Sequence, residues 1–190
     1  MAVKSEIQKL EKQLKLYKSV EKDNAKFNKM SKTQKRITIA EDVIASLKLG
    51  KYEATPGNYF GISSDNNEED TIKDPQALLI HEGVNCDVCA IGAIFASKVR
   101  KGNKCNIDLA YSDNTHDTAL IANLKGIFNE EELRIIETAF EGEVQNNCAL
   151  NEIAERKAEA WHNKNHPYDA NKRLTAIMKN IIKNNGNFIP

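Results

Sequence analysis

Cys86-Asp87-Val88-Cys89-Ala90-Ile91-Gly92-Ala93-Ile94-Phe95-Ala96-Ser97-Lys98-Val99-Arg100 is the run whose reading decides the fold. Asn85 or Asp87 can open a helix here that continues to about Arg100. On it Cys89, Gly92, Ala93 and Ala96 occupy adjoining positions and make one face small, while Ile91, Ile94, Phe95 and Val99 supply bulk elsewhere. A glycine inside a helix costs about 1 kcal/mol relative to alanine. Close approach of a neighbouring element offsets that cost, near the low end of the usual 8–10 Å or about that between helix axes. The run therefore predicts a central, buried helix with the remaining elements packed around it.

Upstream, Ser31-Lys32-Thr33-Gln34 has the form of a capping box, and the helix it opens carries Ile37, Ala40, Val43, Ile44 and Leu47 up to a stop at Gly50. Tyr52 to Ile62 encloses the turn signal Thr55-Pro56-Gly57-Asn58 and reads as a short hairpin or extended segment. Ser63 to Asp70 is an acidic loop, and 75–80 fits either a short helix or a buried strand. Downstream, Cys105 to Tyr111 alternates weakly as a strand does. Helices are expected over 117–128, over 129–141 with Asn129 and Glu132 as caps and Gly142 as stop, over 150–161, and from Asp169 to about Asn185. Phe188-Ile189-Pro190 is expected to fold back. The fold class is mainly α with one or two short β elements: a single mostly helical domain over 31–190, preceded by a Lys-rich amphipathic helix over 1–30.

The 190-residue chain carries 27 basic and 27 acidic side chains, but the balance hides a dipole. Residues 1–36 hold 11 cations and 4 acids, a net of +7, so the rest of the chain carries −7. Lys9, Lys12, Lys15, Lys18, Lys22, Lys26 and Lys29 recur every three or four residues and form a basic stripe, suited to an acidic protein surface or to nucleic-acid phosphates. Beside it Ile7, Leu10, Leu14 and Tyr17 make a narrow apolar seam, two heptads long, through which a homodimer can form. No run is long and apolar enough to cross a membrane, and the Lys-rich start lacks an apolar signal core, so a cytoplasmic location is expected. Lys outnumbers Arg 22 to 5, which points to an A/T-rich genome such as a low-GC bacterium or its phage.

Two constellations carry possible chemistry. Cys89 near a helix N-terminus is a candidate nucleophile for a Cys-dependent hydrolase, with a base from His81, His116, His162 or His166, His162 foremost; Asp87 beside it opposes thiolate formation. Cys86-x2-Cys89 with His162-x3-His166 has the ligand spacing of a zinc site, but 72 residues separate the halves and Cys105 and Cys148 supply no second pair. The loop from Asp65 fails as a calcium loop, with Asp70 where glycine belongs and Gln76 where glutamate does. No phosphate-binding glycine motif is present, and no cofactor is expected. Trp161, with His162, Asn163, Asn165, His166 and Tyr168, reads as a helix connection stapled by one aromatic, or as the lining of a pocket.

Cys89-Ala90-Ile91-Gly92-Ala93-Ile94 followed by Trp161-His162-Asn163 and a final amphipathic helix resembles a family of small phage and actinobacterial proteins. The likeness covers 37–100 and 158–182. The family has no established activity, so the resemblance implies no catalytic residue, only a phage or mobile-element accessory role. The expectation is a non-enzymatic cytosolic binding protein that engages or inhibits a host macromolecule, most readily a protein. The thiol hydrolase and a nucleic-acid-binding protein are the alternatives.

Overall fold

The run that decides the fold divides into two elements rather than one. Val84–Val88 is a strand and Ala90–Gly102 a helix, joined by the single residue Cys89. Valine at 84 and 88 favours the extended chain, and Val84, Cys86 and Val88 turn one side of the strand into the core. The helix expected to open at Asn85 or Asp87 therefore opens at Ala90. A computed structural model describes residues 2–57, 59–64, 79, 84–102, 116–143 and 152–190, with side chains left aside at 2–10, 12, 13, 16, 17, 62–64 and 116–119. Of the loop expected at 63–70, Ser63 and Ser64 instead end a strand paired with Asn85 and Val84, and 65–70 lies outside the described residues, as do the strand expected at 105–111, Cys105, Cys148 and His81.

In chain order the described elements are α1 (Ala2–Asn28), α2 (Lys32–Lys48), β1 (Tyr52–Ala54), β2 (Phe60–Ser64), β3 (Val84–Val88), α3 (Ala90–Gly102), α4 (His116–Leu124), α5 (Glu130–Glu141), α6 (Glu152–Lys164) and α7 (Ala170–Lys183). Seven helices and a small sheet confirm the mainly α class. Of the two readings of 52–62, the extended one holds and the hairpin does not, because the two strands there do not pair with each other. β3 lies between β1 and β2, parallel to the first with Tyr52 opposite Cys86 and antiparallel to the second with Phe60 opposite Val88. The turn at Thr55 to Gly57 carries the chain across β3 instead of back along β1.

α3 is the centre of the molecule, as the small-residue face predicts. Every residue from Ala90 to Val99 is buried, and α1, α2, α4 and α5 pack around it. Gly92 has the close approach it was expected to have, but the neighbour is backbone: an added Cβ would lie 1.5 Å from the Tyr59 carbonyl oxygen. α1 docks at the other end, where the Phe27 ring covers Gly102 and the Asn28 amide donates to the Gly102 carbonyl at 3.2 Å.

Local signals set the helix ends. Ser31 and Gln34 exchange both bonds of a capping box, and Asn129 and Glu132 do the same for α5. Gly142 stops α5 at φ 83°, and the His162 ring occupies the space a side chain there would need. Asp169 caps α7 by accepting from the Lys172 amide. The C-terminal tail does fold back: Asn180 exchanges two hydrogen bonds with Ile189, and Phe188 meets Trp161 edge to face at 5.3 Å. Trp161 thus staples the tail to α6.

The phase of α2 differs from the expected stripe. Its buried side chains are Arg36, Ile39, Ala40, Asp42, Val43 and Ser46, while Ile37, Ile44 and Leu47 are only half-buried. Two buried ion clusters explain the shift. Arg36 donates to the carbonyls of Ile127 (2.6 Å) and Gly186 (3.2 Å), to Asn187 Oδ1 (2.8 Å) and to Glu132, and lies over the Phe128 ring. Asp42 holds Arg100 at 2.5 Å and Lys101 at 3.1 Å, and Arg100 also donates to Ser46 Oγ at 2.6 Å. Polar groups take the interior because each is answered there.

Candidate functional site

The two thiols sit where a strand runs into a helix, and both are interior. Cys86 is 2% exposed and Cys89 1%. Burial pushes the Cys86 thiol up to about 12, partly offset by Arg100. Burial likewise raises Cys89, partly offset by the Gly92 amide, which donates to its sulfur at 3.4 Å and makes Cys89 the N-cap of α3. Glu137 and Glu141 add to the rise. A nucleophilic thiol needs the opposite direction, so Cys89 serves as cap and core.

Of the histidines named as its base, His162 spends Nδ1 at 3.2 Å from the Ala139 carbonyl and wedges its ring against Gly142. His166 lies in the connection before α7, exposed and at φ 58°, with its carbonyl accepting from Arg173 at 2.9 Å. The His116 side chain and His81 lie outside the described residues. Cys86, Cys89, His162 and His166 do not converge, and no group of three or more potential metal ligands forms among the described residues.

The charges that act on Cys89 are instead two carboxylates of α5, Glu137 and Glu141, which also hold Gly57 and Tyr59. The Gly57 amide donates to Glu141 at 3.0 Å and the Tyr59 hydroxyl to Glu137. Burial raises Glu141 to about 7; Glu137 and Glu143 push the same way, while the Gly57 amide and Arg173 oppose. Arg173 lies over the Phe140 ring at 5.0 Å and donates to the carbonyls of His166 and Pro167. This arrangement ties the turn to α5 and α7 and thereby keeps the Tyr59 carbonyl on Gly92. One hint of it is legible in sequence: Glu137 and Glu141 are one turn apart and so share one face of α5.

The cationic surface is organised differently. Lys15, Lys18, Lys22, Lys26 and Lys29 are all exposed, and Leu14 between them is 55% exposed. The side chains of Lys9, Lys12, Ile7, Leu10 and Tyr17 lie outside the described residues. From Glu11 onward the described side chains of α1 that bury are Asn24 and Phe27, both in its last two turns. Arg36, counted with this basic region by sequence, is buried and contributes no surface charge. Its phase reveals this, because Arg36, Ile39, Ala40 and Val43 follow the 3–4–7 spacing of one helix face.

Among the described residues no helix is long and apolar enough to cross a membrane. Comparison with protein-family models, curated proteins and solved structures gave no match.

Proposed function

We propose that the protein is a non-enzymatic, cytoplasmic binding protein that engages another protein through the lysine face of α1. One observation carries the reading: Leu14, Lys15, Lys18 and Lys22 stand exposed on a helix whose buried side chains, among those described, are Asn24 and Phe27 near its C-terminal end, where Asn28 also bonds to Gly102. A helix held by one end and left cationic with an apolar side chain along the rest has a form suited to docking on an acidic surface. The buried thiols and the histidine engaged by Ala139 favour this over the hydrolase. The resemblance of 89–94 and 161–163 to phage proteins supports a phage or mobile-element accessory role against a host macromolecule.

The test is capture from nuclease-treated bacterial lysate by the tagged full chain and by the Lys15→Glu/Lys18→Glu/Lys22→Glu variant. The expected result is a protein retained by the wild type, released by moderate salt and absent from the variant, whose stability changes by less than about 0.5 kcal/mol. Equal capture by both chains overturns the reading. Salt-sensitive binding of duplex DNA, lost in the same variant, replaces it with the nucleic-acid alternative. A dimer that dissociates on Leu14→Glu replaces it with self-association through the seam.

A further inference from the structure

We infer a second docking surface: the trough between α2 and α7 receives an acidic, amphipathic helical segment of a partner protein. This rests on the reading of the chain as a protein-binding protein but uses a different face from the exposed length of α1. The trough encloses about 400 Å³. Leu47 and Ala176 give it apolar walls, and Lys48, His166, Lys172 and Lys179 line it with no carboxylate among them. Lys172 pairs with Asp169 at 2.9 Å, whereas Lys48 and Lys179 have no ion-pair partner among the described residues.

The chemistry of the lining selects the occupant. Its other polar groups are engaged, since Asn171 accepts from the Ala54 amide at 2.8 Å and the Thr175 hydroxyl donates to the Asn171 carbonyl at 2.8 Å. Phosphate cradles are built from free backbone amides or arginine forks; at the α7 N-terminus the Asp169 carboxylate already accepts from the Lys172 amide and would repel a phosphate there. No arginine, tyrosine, tryptophan or phenylalanine lines the trough for a base to stack on, and the His166 imidazole is the one ring among its lining residues. What remains is aliphatic surface between point cations, which fits the leucines and carboxylates of an amphipathic helix. Lys172 and Lys179 are two turns apart on one face of α7, about 10.5 Å along the axis, and match carboxylates seven residues apart on a helix lying alongside.

The far end of α2 repeats the pattern. There a cleft of about 360 Å³ is lined by Lys26, Lys29, Met30, Gln34, Ile37 and Thr38. From Gln34 to Lys48 α2 spans roughly 21 Å, so a partner helix of about four turns reaches both. Half-buried Ile37 lines this cleft and half-buried Leu47 lines the trough.

The test measures fluorescence anisotropy of a labelled, acetylated peptide of roughly 18 residues, helical, with glutamates at seven-residue spacing and leucines between. Saturable binding to the full chain is expected, weakened at least about tenfold by Lys48→Glu/Lys179→Glu. A peptide with its glutamates changed to lysines is expected to prefer that variant over the wild type. No saturable binding, equal binding by both proteins, or stronger competition by an oligothymidylate of equal charge overturns the inference. The Lys15→Glu/Lys18→Glu/Lys22→Glu variant separates the two readings. It is expected to bind the peptide within about twofold of wild type. If it alone loses the peptide, the trough is not the site, while the α1 reading survives.

Discussion

Arginine and lysine divide this molecule between two regions. Around α3 the interior cations are mainly arginines, with Lys98 the one buried lysine among the described residues: Arg36, Arg100 and Arg173 each sit over an aromatic ring and are tied to carbonyls or carboxylates. On α1 and along the trough the cations are lysines, exposed and in large part unpaired. The guanidinium is planar, weakly hydrated and carries five donors, so it can be enclosed if several acceptors meet it. The ammonium holds its water more tightly, and apart from Lys98 no described lysine is buried. Charge in the first region therefore fixes the fold, and charge in the second is available to a partner.

The sharpest way to break this contrast is to remove an interior guanidinium. Arg36→Met leaves two carbonyls and Asn187 without the Arg36 donor and Glu132 with only the Asn129 amide, and the expected loss is about 3 kcal/mol, measured by urea unfolding. A loss no larger than that of a surface lysine substitution would erase the division. Gly92→Ala is expected to cost somewhat less, about 2–3 kcal/mol, because the new methyl must displace the Tyr59 backbone. The same melt checks it, and unchanged stability would mean the 55–59 turn is not seated on α3.

The smallest effect sharpens the comparison through pH. Glu141 rises from its ordinary 4.5 to about 7, so the folded chain keeps a proton that the unfolded chain has released. The stability this group gives is full below pH 4.5 and is lost as pH climbs toward 7 and beyond. Partial exposure and solvent screening reduce the effect to about 1 kcal/mol. Glu141→Gln is expected to flatten that portion of a stability–pH curve between pH 5 and pH 8. An unaltered slope would show that the carboxylate is not what the turn rests on.

Much of the fold was legible in local signals. The capping boxes at Ser31 and Asn129, the Gly142 stop, the Asp169 cap and the returning tail all depend on neighbours in sequence. The interior of α3 was legible from small residues and bulk in one run. What escaped was set by contacts distant in sequence. The β1–β3–β2 order requires Tyr52 to pair with Cys86 and Phe60 with Val88, and a turn signal at 55–58 is equally compatible with a hairpin. The shifted phase of α2 depends on Arg36 meeting the 127–132 and 186–187 segments, and on Asp42 meeting Arg100. For the site, the sequence identified the exposed lysines of α1 but placed Cys89 beside an imidazole in one alternative. In the fold the sulfur completes a helix end, and Glu137 and Glu141 are its charged neighbours.

The strand order has a consequence for how the chain acquires its shape. β3 is the only strand that touches both others, and it is the last of the three to leave the ribosome. Until residue 84 emerges, β1 and β2 have no ladder to join, and α2 lacks the Arg100 that answers Asp42. Synthesis past α3 therefore allows the described sheet to close and Asp42 to meet Arg100, while the rest of the helical core waits for the later helices. A nascent chain halted before that point holds two open strand edges, the state in which such segments are most prone to pair with a stranger.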